Sequence, residues 1–198
     1  MAFDFRVNKF GGDVELIVEG MNLYVHKEIL TKHSRYFNTL LYSPDFQGNT
    51  LIEIPLENMR LSEITELLGI IYVNKAVTVT NVTYLLELAN YFQMDDLMQK
   101  SENTLINDVD CKLNWNQKMI RAERFGLIRL KASLFRQLQT VGDVCKIRTM
   151  SHFAELSDSV KASLFDKLCT GLDRCGNAIE IKKKSVKKTC AQNLCNNM

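Results

Sequence analysis

The stretch from Asp13 to Phe37 constrains this chain most, because its hydrophobic period changes from two to helical spacing within one short segment. Val14, Leu16 and Val18 alternate with Glu15, Ile17 and Glu19, the pattern of a strand with one well-buried face. Gly20 supplies the backbone freedom that a reversal needs. Leu23 and Val25 continue the apolar face on the return strand. After His26 the period lengthens, with Ile29 and Leu30 three and four residues on. Ser34 is a good N-cap for a second helix over 35–41. The reading is strand, tight turn, strand, helix, helix.

The pattern then continues. Residues 51–55, Leu-Ile-Glu-Ile-Pro, predict a short strand stopped by proline. Leu61, Ile64, Leu67, Leu68 and Ile71 mark an amphipathic helix. A β-branched segment over 77–80 follows, and Thr80 or Asn81 caps a helix carrying Val82, Leu85, Leu86, Ala89 and Phe92. Asp95 opens another, with Leu97, Met98, Leu105 and Ile106. From 109 to 173 the spacing is helical throughout: Met119, Ala122, Phe125, Leu127, Leu130, Leu134, Phe135 and Leu138, divided by Gly126. Residues 141–148 predict a short helix. Ser157 or Asp158 caps a last one with Val160, Leu164, Phe165 and Leu168 facing inward.

Asp13, Val14, Gly20, Val25, His26, Lys27, Leu30, Ser34, Tyr36 and Phe37 together resemble the opening of a BTB (POZ) domain. Ile71-Tyr72 and the run Ala89, Tyr91, Met94, Leu97 resemble its second half. The resemblance implies an α+β fold, a small mixed sheet with helices around it, over residues 13–108 after an N-terminal arm of 1–12. Residues 109–173 are similar to the start of the BACK region that often follows such a domain. Residues 174–198 read as a disordered basic tail, too poor in apolar residues to offset ordering entropy.

The same resemblance implies a non-enzymatic interaction module. One reading is a dimeric substrate adaptor of a cullin-RING ubiquitin ligase. The other is a dimerising scaffold without ligase function, nuclear in the version that takes the tail as an import signal. Partners are then a second copy or another BTB chain, a cullin scaffold and a client protein. In BTB domains the positions matching Asp13 and Lys27 lie in a charged pocket at the dimer interface, and Leu30 stands on the helix between the copies. Two separate surface charges are the simpler alternative for Asp13 and Lys27. Family members that bind cullins carry a hydrophobic residue, any residue, then an acid after the second helix. Phe46 fits the hydrophobic place, Asp45 precedes it, and Gly48 occupies the acidic place, so the motif is incomplete.

Composition narrows the remainder. Hydrophobic residues make up 46% and charged residues 24%, an ordinary globular balance. No apolar run reaches the roughly 18 residues of a membrane span, and the start lacks a signal-peptide pattern. The six cysteines (111, 145, 169, 175, 190 and 195) therefore read as reduced thiols of a cytoplasmic or nuclear protein. No Cys-x-x-Cys pair exists, so no metal site or cofactor is expected, and Cys111, Cys145 and Cys169 read as small buried hydrophobes. There is no phosphate loop, nucleophile elbow or His-Glu-x-x-His pattern, and Glu63 and Glu66 read as a solvated helix face. His26 reads as structural and His33 as a surface residue. The net charge of +2 combines +5 in residues 174–198 with −3 in the rest. Within that tail Lys182, Lys183, Lys184, Lys187 and Lys188 resemble a nuclear-import signal, with a merely solubilising tail as the alternative. It has no aromatic residues for base stacking, which argues against sequence-specific nucleic-acid reading. No kelch, MATH or zinc-finger segment is evident in these residues.

Overall fold

Strand β1 (Val14–Val18) pairs antiparallel with β2 (Met21–Val25), from Val14 opposite Val25 to Val18 opposite Met21. The two turn residues, Glu19 and Gly20, both have positive φ, 49° and 75°. Such a turn matches the twist of its strands, and Gly20 enters it without steric cost. Glu19 is held there from outside, its carboxylate accepting the Leu61 amide at 3.0 Å. Strand β3 (Ile52–Pro55) lies parallel to β1, giving the order β2-β1-β3. The central position of β1 revises the expectation of one buried face: Glu15 is buried along with Val14, Leu16 and Val18. The computed structural model describes residues 4–9, 11–46, 50–107 and 113–171, and the chain divides into two units, Met1–Lys112 and Leu113–Met198.

In the first unit α1 (Lys27–His33), α2 (Arg35–Leu41) and a 3-10 turn (Pro44–Phe46) lie between β2 and β3, and α3 (Leu61–Val73), α4 (Val82–Tyr91) and α5 (Asp95–Asn107) follow β3. This is the expected α+β architecture of a small mixed sheet and surrounding helices. Ser34 ends α1 and starts α2. Its hydroxyl accepts the Phe37 amide at 3.0 Å and donates to the Phe92 carbonyl at 2.6 Å. That second bond brings the end of α4 against α2, where the Phe37 and Phe92 rings stack 4.9 Å apart. Leu16, Leu23, Leu30, Leu41, Ile64 and Leu68 complete the centre of the core. The segment over 77–80 forms no strand. Its backbone is engaged in closing the turn into α4: the Val82 amide donates to the Thr78 carbonyl, and the Thr78 amide to Asn81 Oδ1.

Residues ahead of β1 also belong to this packing. Phe5 is buried, meets Tyr72 edge-on at 5.1 Å, and offers its carbonyl to the Tyr24 amide at 2.7 Å. Gly12 approaches β2 so closely that a Cβ there would lie 2.9 Å from the Val25 backbone nitrogen and oxygen.

The second unit holds α6 (Trp115–Arg124), α7 (Ile128–Gln137), α8 (Val141–Thr149) and α9, which occupies residues 158–171. Asn114 with Gln117, and Thr140 with Asp143, form capping boxes at α6 and α8. Gly126, at φ 65°, separates α6 from α7. Ser157 caps α9 by accepting the Val160 amide, and its hydroxyl donates to Glu123 on α6. The Trp115 indole donates to the Leu134 carbonyl at 3.1 Å. Buried Asn116 donates to the Ile147 and Ser151 carbonyls. Two expectations are corrected here. Val160 and Leu164 are buried, but Phe165 is 64% exposed, because α9 packs along a narrower stripe than its apolar residues span. Cys145 and Cys169 are exposed rather than buried, each lying beside the packed stripe of its helix.

Candidate interaction surface

Asp13, Lys27 and Leu30 lie near one another where β1 and α1 begin. Asp13 is exposed, and its carboxylate accepts the Lys27 backbone amide at 2.7 Å. An acid thus satisfies a free amide at the start of α1, where the His26 side chain makes no cap. The Lys27 ammonium turns elsewhere. It donates to the Leu41 carbonyl at the end of α2, 2.7 Å away, and stands 4.2 Å over the Tyr42 ring. A cation at a helix C-terminus and over an aromatic face is favourable on both counts. Asp13 and Lys27 are joined through a backbone amide, and the charges of their side chains have different partners. Leu30 lies wholly inside its own core, 0% exposed, so its surface is not available to a partner.

His26 occupies a structural place. Its amide donates to the Tyr72 hydroxyl at 2.6 Å, and its Nδ1 lies 3.2 Å from the same oxygen. Burial pushes the Tyr72 phenol up to about 12; the His26 amide opposes the shift and the nearby Asp13 charge adds to it.

The loop after α2 carries Tyr42, 58% exposed, then exposed Asp45 and half-buried Phe46. Phe46 packs against the core, which orients the loop, and keeps part of its ring at the surface. Gly48 lies outside the described residues, as do Cys111 and the five lysines of the tail. A second aromatic group was not singled out from sequence: Tyr36 lies 5.6 Å from Tyr91, which is 52% exposed, beside an exposed Arg35–Asp95 ion pair at 2.7 Å. Sequence offers Tyr36 and Tyr91 only as motif positions, because helical spacing does not show that α2 and α4 bring them together.

Glu66 is not a freely solvated side chain. It accepts the Tyr84 hydroxyl and the Asn81 amide at 2.9 Å, joining α3 to α4. The Tyr84 hydrogen bond, then that of Asn81, holds the Glu66 carboxyl below the usual range; burial and the adjacent acid push Tyr84 well above its own. Among the described residues no cluster of His, Cys, Asp and Glu is arranged to hold a metal ion. No described helix is long and apolar enough to cross a membrane.

The family model for the BTB/POZ domain matches residues 3–109. This chain belongs to the BTB/POZ family. BTB and MATH domain-containing protein 38 of Caenorhabditis elegans is 33% identical over 161 residues, covering 79% of this chain and 40% of the relative. BTB and MATH domain-containing protein 36 of the same organism is 31% identical over 157 residues, covering 79% of this chain and 48% of the relative. The chain therefore spans less than half the length of these curated relatives. The solved BTB domain of human gigaxonin is 23% identical, with a TM-score of 0.40, covering 48% of this chain and 77% of that one. A BTB domain is a protein-interaction module.

Proposed function

We propose that this BTB chain is a self-associating adaptor that docks on a cullin scaffold and presents a client for ubiquitin transfer. The observation that carries the reading is the loop after α2. It presents Tyr42, Asp45 and one side of Phe46 while the core holds the rest of the Phe46 ring. An aromatic residue ordered before binding suits a hot spot, because little entropy is lost on contact. The helical unit from Leu113 onward follows the BTB unit in sequence, as the BACK region does in the proteins it resembles, and that order supports the reading.

The test is calorimetry of the purified chain against a cullin N-terminal domain. Phe46→Ala is expected to weaken binding by roughly 2 kcal/mol or more. Because Phe46 also packs on the core, Tyr42→Ala serves as a second variant at an exposed position. Circular dichroism establishes that each remains folded. A second reading rests on Gly48, which stands where the cullin-binding pattern has an acid: a BTB scaffold without ligase function, directed to the nucleus by Lys182–Lys184, Lys187 and Lys188. No binding by the native chain, and none gained by Gly48→Glu in folded protein, would leave that reading in place.

A further inference from the structure

The two units differ in charge. Residues 1–112 carry sixteen acids against nine bases, and residues 113–171 carry ten bases against five acids. The acidity of the chain ahead of the tail therefore belongs to the BTB unit alone. Within the basic unit, α8 and α9 enclose a groove of about 340 Å³. Buried Val144 and Leu164 form its floor with half-buried Phe153 and Leu168, and Phe165 stands at its lip, 64% exposed. Arg148 and Lys161 line it, and no carboxylate does. Among the described residues no carboxylate pairs with Arg148. Lys161 donates to the Ala154 carbonyl at 3.1 Å and approaches only Asp158, at 3.7 Å, whose side chain is fully exposed.

An apolar groove with an exposed aromatic lip and a polar rim is the form of a protein-binding site. Its rim selects the occupant. Cations on the rim favour acidic residues and disfavour basic ones. Residues 172–198 carry six bases against two acids, a poor charge match for this rim. A phosphate backbone would satisfy the cations but leave the apolar floor uncovered. A helix with an apolar stripe and acidic flanks satisfies both features.

We propose that the α8–α9 groove docks an acidic amphipathic helix of a partner protein. Its leucine or phenylalanine face packs on Val144, Leu164, Phe165 and Leu168, and its carboxylates meet Arg148 and Lys161. The inference uses only residues of the second unit and none of the loop after α2 that carries the cullin reading.

The test uses the full chain and a fluorescein-labelled synthetic helix about five turns long, with leucines at i, i+3, i+4 and i+7 and glutamates on the flanks. Fluorescence anisotropy is expected to show saturable binding, weakened at least about tenfold by Phe165→Ala and by Arg148→Glu. Both positions are exposed, and circular dichroism verifies that the variants fold. Replacing the peptide's glutamates by lysines, or its leucines by alanines, is expected to weaken binding by a similar factor. No saturable binding, equal binding by either variant, or equal binding by either altered peptide would overturn the proposal. So would a fall in sedimentation mass on Phe165→Glu, which would make a second copy the occupant.

Discussion

Lys27 ties three parts of the BTB unit together with the two ends of one residue. Asp13 holds its amide and the Leu41 carbonyl holds its ammonium. Asp13→Ala removes a helix cap and is expected to cost about 1 kcal/mol; Lys27→Met removes a charged hydrogen bond and is expected to cost about as much. Because the two bonds use different groups, the double variant should be additive within about 0.5 kcal/mol in urea unfolding. If the pair also lies in a shared interface pocket, strong coupling will appear in the self-association constant instead. Tyr72 sets a limit at high pH. An unfolded phenol ionises near pH 10, whereas folded Tyr72 holds its proton to about 12. The folded state therefore keeps this contribution in full below about pH 10 and loses it as the pH rises toward 12. Tyr72→Phe should shallow the fall in melting temperature across that window, while lowering neutral-pH stability by about 1 kcal/mol through the lost His26 bond.

At the scale of elements, the junctions carry more than the helices themselves. Ser34 caps α2 and also satisfies the Phe92 carbonyl at the end of α4, in a site only 2% exposed. Ser34→Ala leaves a buried carbonyl and a helix amide without partners, and is expected to cost about 2–3 kcal/mol in urea unfolding. A loss near 0.5 kcal/mol would mean that water replaces both bonds. Gly12 sets how closely the chain ahead of β1 lies on β2. Gly12→Ala places a methyl against the Val25 backbone and should cost about 1–3 kcal/mol, since backbone yields less than a side chain. Alanine at Gly11 meets no atom within 4 Å, though its φ of 70° still costs about 1 kcal/mol. The ordering of these two variants in thermal melts tests whether close approach or backbone angle dominates there.

For the whole molecule, the adaptor reading predicts a dimer in sedimentation equilibrium at micromolar concentration, and a stable monomer would remove it. The BTB fold was legible because its signals are local. Period two over 14–25, the hairpin turn at Gly20, the Ser34 cap and the helical stripes each depend on residues a few positions apart. Phe46 and the Asp13–Lys27 region stand as candidate surfaces only through family resemblance, since spacing alone says nothing of which surface a partner meets. Other features followed from which neighbour each element found. β1 became central, so Glu15 is buried. The residues over 77–80 turned into α4 instead of pairing as a strand. Glu66 met Tyr84 across two helices. Phe165, Cys145 and Cys169 stayed at the surface because α8 and α9 bury only narrow stripes. Sequence by itself determined the order and type of the main elements and the centre of each apolar face, because backbone propensity and side-chain periodicity act over one or two turns. Tertiary structure alone decided which of those faces closed, where the charges found partners and where a groove remained, because those outcomes depend on contacts between residues distant in the chain.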